Sequence, residues 1–245
     1  MNLFRTIRHN LTSFRSRERR RARWNEKWGG EGFSPVWLKR DIPAELCEQY
    51  ETVRLDETMT VLDVGCGHGA IARWFAEKGS TAVGVDLAAS AIRAARERHE
   101  DGSRRLRFLA ADFCREFLPY EGSFRVVVDR GCFHGVPDYD QNAYVKTLAA
   151  VTQEDSDYFL FVRAFRGPQA GDEAADREIN TTRRAFRGPQ LGDRTAEREA
   201  KTTRIESLFE PYFVIEQSRD TTMGESNGRE LPGLFFRMRR NGRKR

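Results

Sequence analysis

The sequence is short of several things. Four cysteines occur in 245 residues (Cys47, Cys66, Cys114 and Cys132), and no two form a C-x-x-C pair. A disulfide-built scaffold is thereby excluded, and a reducing, cytoplasmic compartment is expected. The four histidines, His9, His68, His99 and His134, show no metal-ligand spacing with the cysteines, so no metal site is expected. No stretch approaches the ~18 consecutive apolar residues of a membrane span. The first 23 residues interleave apolar residues with arginine, without an apolar run or a small-residue cleavage site, so no secretory leader is expected.

Charge is unevenly spread. Residues 1–23 hold eight arginines and one glutamate, and residues 237–245 hold five arginines and one lysine without an acid. Against a formal net charge of only +5, that leaves the body between the ends acidic. Basic ends are usually solvated, but they can also touch nucleic acid or an anionic membrane. Leu3, Phe4, Ile7, Leu11 and Phe14 recur at helical spacing, which predicts an amphipathic helix over 3–20. Such a helix packs on the body or makes a peripheral membrane contact. A mitochondrial transit peptide has a similar pattern.

From residue 59 strands and helices alternate. Strands are predicted at 59–64, 81–86, 106–112, 124–129, 157–165, 212–217 and 231–239. Helices are predicted over GAIARWFAEKG, ASAIRAARERH, QNAYVKTLAAVT and RIESLFE. This order indicates an α/β domain with a parallel sheet and helices on both faces, closed by an antiparallel hairpin. The chain also repeats itself: AFRGPQAGDEAADREINTTRR (164–184) is followed by AFRGPQLGDRTAEREAKTTRI (185–205), with 14 of 21 positions identical. Two units are too few for a solenoid. The pair reads as a tandem duplication in one loop–helix crossover, with Asp172 or Asp193 as helix N-cap.

The first strand runs into VLDVGCGHGA (61–70), where Gly65, Gly67 and Gly69 let the backbone turn tightly and approach a ligand. The stretch also fits a dinucleotide fingerprint, so the glycines alone leave the nucleoside open. The acids decide more. Asp63 precedes the loop, Asp86 ends the second strand where ribose hydroxyls are accepted, and Asp112 ends the third. Three carboxylates suit one adenosine with positive charge better than a diphosphate.

VLDVGCGHG, GVD (84–86) and AAD (110–112) resemble the first three motifs of class I S-adenosylmethionine (SAM) dependent methyltransferases. The resemblance covers about residues 59–239. It implies a Rossmann-like seven-stranded sheet of order 3-2-1-4-5-7-6 with the last strand antiparallel, and SAM as cofactor. A narrower resemblance comes from RWNEKWGGEGFSPVW (23–37), VVVDRGCFHGVP (126–137) and TTRIESLFEPYFVIE, which look like the thiopurine S-methyltransferase family and its thiol and halide relatives. That likeness implies Trp24 over the cofactor and Arg130 at the methyl-transfer centre, with Trp28, Phe33 and Trp37 walling the acceptor pocket. The cofactor-binding set is then Trp24, Asp63, Gly65, Cys66, Gly67, Gly69, Asp86, Leu87, Asp112, Phe113 and Asp129. Cys66 and Cys132 otherwise read as packing residues.

Arg130 is a candidate for favouring an anionic acceptor, unless it pairs with Asp129 or the SAM carboxylate. His134 is a candidate base, since an unperturbed imidazole titrates near ~6.5. The expected organisation is a basic extension (1–23), a methyltransferase domain (24–240) with a cap at 24–55, and a basic tail (241–245), acting as a monomer. The expected reaction is methyl transfer to a small-molecule thiol or similar soft nucleophile. An RNA or protein methyltransferase using the basic ends is the alternative. Against it, the sequence lacks both an Asn/Asp-Pro-Pro-aromatic motif and a Pro-Cys nucleophile pair. A non-catalytic SAM-binding or membrane-associated protein is the further alternative.

Overall fold

The computed structural model describes residues 3–30, 33, 42–52, 59–99, 104–116, 120–165, 191–226 and 229–242, with side chains of the first helix from Ser16 onward. The elements run α1 (Leu3–Gly29), α2 (Ala44–Thr52), β1 (Thr60–Val64), α3 (Ala70–Glu77), β2 (Thr81–Asp86), α4 (Ala89–His99), β3 (Leu106–Ala110) and β4 (Phe124–Arg130). A 3-10 turn (Phe133–Gly135), α5 (Asp138–Val151), β5 (Thr152–Arg163), α6 (Leu191–Phe209), β6 (Phe213–Ser226) and β7 (Arg229–Arg240) follow. The seven strands form one sheet of order β3-β2-β1-β4-β5-β7-β6. β1 to β5 pair in parallel, and β7 is antiparallel to both β5 and β6.

Strand alternation sorts the core into two layers. Leu62 and Val64 of β1 join Val127, Tyr144, Leu148 and Phe209 beneath α5 and α6. Val61 joins Ile71, Phe75, Ile92 and Val128 beneath α3 and α4. Central strands buried on both sides explain the nearly continuous apolar runs in β1 and β4. Strand order reverses between β1 and β4, so loops after neighbouring strands diverge there and leave a crevice at the carboxyl ends.

Three boundaries differ from expectation. α1 continues to Gly29, straight through the expected break after residue 23, because ERRRARWNEKW holds no glycine or proline to stop a helix. β5 begins at Thr152, directly after α5, with a register shift against β4 and Asp155 at φ 59°. Asp193 lies inside α6 and is not its N-cap. Asp172 and most of the first repeat copy fall outside the described residues.

The basic carboxyl end is largely strand. Arg237 of β7 pairs with Asp157 (3.1 Å) and Glu216 (3.4 Å), and Arg239 pairs with Glu216 (2.9 Å). Among the described residues no helix is long and apolar enough to cross a membrane. Nor do any three His, Cys, Asp or Glu side chains among them group to hold a metal ion.

Candidate active site

The glycine loop is a left-handed run. Gly65, Gly67 and Gly69 adopt φ of +70°, +53° and +84°, a region that costs other L-residues ~1–2 kcal/mol each. Amides of Gly65 and Cys66 donate to the Val85 carbonyl (2.7 and 3.0 Å), folding the loop against β2. There is no space for side chains. A Cβ on Gly65 would lie 2.5 Å from Cβ of Cys132, and one on Gly67 2.7 Å from the Trp28 ring.

The carboxylates stand at successive strand ends. Asp86 accepts from the amides of Gly67 (3.0 Å) and Ala88 (2.8 Å), so it braces the loop while lining the cleft. Burial raises its pKa and these amides pull it back. Each of its oxygens retains a lone pair for a further donor. Asp112 accepts from the amide of Cys114 (3.0 Å) and also lines the cleft. Asp63 is almost fully buried, and its Oδ2 accepts from the amide of Ala72 (3.2 Å), tying β1 to α3. Burial pushes its pKa up to about 7, with the charges of Asp129 and Asp86 adding to the effect.

Asp129, expected at the cofactor, faces the other way. It shares strand parity with Val127, so it points toward α5. Its carboxylate accepts from the amides of Cys132 (2.8 Å) and Phe133 (2.9 Å) and from the Tyr144 hydroxyl (2.5 Å). It shapes the turn after β4 from below, and burial pushes its pKa up to about 7.

Helix α1 roofs the cleft. Asn25 caps the start of α4: its Oδ1 accepts from the amide of Ser90 (3.1 Å), and its backbone carbonyl accepts from the Ser90 hydroxyl (2.9 Å). Arg20, itself mostly buried, lies 3.6 Å from Asp112 and 3.7 Å from Asp140. Arg21 pairs with Glu116. These anchors present Trp24 and Trp28 to the cleft. Trp28 packs edge-on against Phe33 (5.1 Å between centroids), which supports it from outside the lining. Leu87 and Phe113 complete an apolar wall.

Beyond β4 the cleft is basic. Arg130, His134 and Arg163 line it beside Met223 and Leu231. His134 Nδ1 accepts from the amide of Arg163 (3.3 Å), which leaves Nε2 to carry the proton of the neutral ring. Burial, with Arg163 and Lys201 nearby, pushes its pKa down to about 3. The expected role as a base near neutrality therefore does not fit: Nδ1 is already engaged and the ring resists protonation. Burial also raises the thiol pKa values of Cys66 and Cys132, and that of Cys114 to about 12.

Of the expected residues, the structure gathers Trp24, Trp28, Asp63, Gly65, Cys66, Gly67, Asp86, Leu87, Asp112, Phe113, Arg130 and His134 around one cleft. Gly69 instead packs against Phe108 and Ala95. Trp37 lies outside the described residues. Arg20, Asn25, Tyr144 and Arg163 were missed, because each earns its position through contacts distant in sequence.

A cleft at the carboxyl ends of a sheet of order 3-2-1-4-5-7-6 defines a Rossmann-like fold, and comparison with known proteins gives the family. The description "Methyltransferase domain" matches residues 61–155. An uncharacterized methyltransferase of Schizosaccharomyces pombe is 35% identical over 105 residues, which span 43% of this chain and 70% of that protein. The 2-heptyl-1-hydroxyquinolin-4(1H)-one methyltransferase of Mycobacteroides abscessus is 35% identical over 103 residues, 42% of this chain and 45% of that one. A structure solved for the conversion of a disulfide bond into a thioacetal group during echinomycin biosynthesis has the same fold. It shows TM-score 0.68 and 23% identity, covering 91% of this chain and 93% of its own. The chain belongs to the methyltransferase family and has the fold of its SAM-dependent members.

Proposed function

We propose that this chain transfers a methyl group from SAM to a small-molecule acceptor, with a thiol or similar soft nucleophile the best candidate. The observation that carries the reading is the division of one roofed cleft: Asp86 and Asp112 on the β2–β3 side, Arg130 on the β4 side. The residues fit the cofactor. Asp86 would accept from the ribose hydroxyls, Asp112 from the adenine amino group, and the Gly65–Gly67 backbone would lie against the ligand, with Trp24, Leu87 and Phe113 on its apolar faces. When bound, SAM supplies an electrophilic methyl group on a sulfonium.

The protein's part is alignment and exclusion of water, a contribution of up to ~7–11 kcal/mol in well-oriented systems. Arg130 would stabilise an anionic nucleophile. A thiol needs little base catalysis, because a fraction ionises near neutrality. His134 would act as a neutral donor through Nε2. Cys66, Cys114 and Cys132, held as thiols by burial, would not compete with the acceptor for the methyl group.

Two further observations favour a small acceptor. The basic ends, which the RNA reading needs as a free surface, are partly spent on Asp112, Asp140, Glu116, Asp157 and Glu216. A relative is named for methylating a hydroxyquinolone. The cytoplasmic setting and the monomeric state belong to the same proposal.

The test is transfer from methyl-labelled SAM, split between small thiols with sulfide and total RNA. Label in the small-molecule fraction, lost in Asp86→Asn, supports the reading. Label in RNA alone sinks it.

A further inference from the structure

Several cations among the described residues are matched to acids. Arg20 meets Asp112 and Asp140, Arg115 meets Asp140, Arg125 meets Asp157, and Arg204 meets Asp138. Arg163 is different. It closes β5, is partly buried and lines the cleft. Among the described residues no carboxylate pairs with it, and burial alone lowers its pKa.

Its position is also fixed from both sides. Its amide donates to His134 Nδ1 (3.3 Å), and its carbonyl accepts from Lys201 Nζ (2.6 Å). Register then places it beside Arg130. Arg130 is the partner of Phe161, and Arg163 follows Phe161 by two, so the two arginines share a sheet face. The neighbours it lines the cleft with on the β6–β7 side, Met223 and Leu231, are apolar and offer no counter-charge. A guanidinium taken partly out of water without a counter-charge is costly, and an oxyanion that accepts its fork of N–H donors removes that cost.

We propose that Arg163 is the anion-recognition residue of the acceptor subsite, so that the acceptor carries a carboxylate or phosphate group in addition to its nucleophilic atom. This rests on reading the cleft as the methyl-transfer site. The polarity of the cleft follows the same logic. Asp63, Asp86 and Asp112 face the cationic cofactor's side, while Arg130 and Arg163 face the acceptor's side. Attraction at both ends would orient the two reactants toward each other. His134 adds a neutral Nε2–H donor, which an anion accepts and a cation does not. Arg163 is thus a specificity residue, and its fork suits a planar carboxylate better than a lysine would.

The test is calorimetric titration of the full-length protein with benzoate, phenyl phosphate and the neutral benzamide, with and without saturating S-adenosylhomocysteine. Wild type is expected to bind one of the anions at least tenfold more tightly than benzamide. Which anion binds tells carboxylate from phosphate recognition. Arg163→Gln is expected to lose that preference and Arg163→Lys to keep part of it, while affinity for S-adenosylhomocysteine changes less than twofold in both. Thermal melts check folding, and the lysine variant stands in if the glutamine variant fails to fold. Equal binding of benzamide, no binding of either anion, or a preference that survives in Arg163→Gln overturns the proposal. If S-adenosylhomocysteine does not bind but the anion preference holds, the cofactor reading falls and the anion site stands.

Discussion

Arg20 of α1 places its guanidinium 3.6 Å from the Asp112 carboxylate at the end of β3 and 3.7 Å from Asp140 at the start of α5. One side chain of the roof thereby reaches two acids beneath it, both well buried. The pairing links closure of α1 to the site that would receive the adenine.

Arg20→Ala should therefore loosen the roof. Removing one partner takes the cation from Asp112 and leaves Asp140 with Arg115 alone, at a cost of ~1–3 kcal/mol. The melting temperature is expected to fall by several degrees, at roughly 2–4 °C per kcal/mol for a chain of this size. Affinity for S-adenosylhomocysteine should fall with it. Unchanged affinity would mean that α1 does not act as a roof over the cofactor.

Asp63 and Asp129 share a raised pKa of about 7 but should respond oppositely to amide replacement. Folded pKa values above the unfolded ones favour the protonated folded state. The stability this contributes is present below ~4 and is lost as pH rises toward 7. Asp63 takes one backbone donor, which Asn still satisfies, so Asp63→Asn should raise the melting temperature at pH 8 and lose its advantage at pH 5. Both oxygens of Asp129 accept, so an amide NH2 would face donors. Asp129→Asn should destabilise by ~1–3 kcal/mol. Melts of both variants across pH 5 to 8 separate these outcomes.

Gly67→Ala forces a methyl group into the Trp28 ring at 2.7 Å and strains a φ of +53°. Cofactor affinity should drop more than tenfold. Trp28→Ala removes the clash but not the strain, so the double variant should recover part of the stability lost in Gly67→Ala. A double-mutant cycle in denaturant measures that coupling. Strict additivity would mean that the ring does not bear on the loop.

His134 predicts a quiet pH profile. Its folded pKa of about 3 lies below the unfolded ~6.5, so its contribution to stability is present above ~6.5. Stability should decline as pH falls from there toward 3, with a slope of up to ~1.4 kcal/mol per unit. His134→Gln should flatten that slope. Turnover at saturating substrates should show no ionisation near 6.5 that this variant abolishes. Such an ionisation would restore His134 as a base.

Much of the site was legible in the chain. VLDVGCGHGA gives the loop because only glycine relaxes at φ near +50° to +85° beside a strand. Asp86 and Asp112 follow apolar strands directly, and a parallel sheet aligns such ends along one edge. The inward turn of Asp129 was half legible: parity with Val127 gives the face, but only Tyr144 on α5 shows what occupies it.

What the sequence by itself determined was local and periodic: the alternation of strands and helices, the glycine turn, the acids at strand ends and the closing hairpin. The tertiary structure alone decided how α1 docks on α4 and α5, and hence that Arg20 meets Asp112. It also decided that His134 accepts from the Arg163 amide, and that among the described residues no acid pairs with Arg163. The reason is physical. Backbone preferences act over a few residues and leave their mark in spacing, whereas burial and charge pairing depend on surfaces that the fold brings together from separate elements, as with Arg20 of α1 and Asp112 after β3.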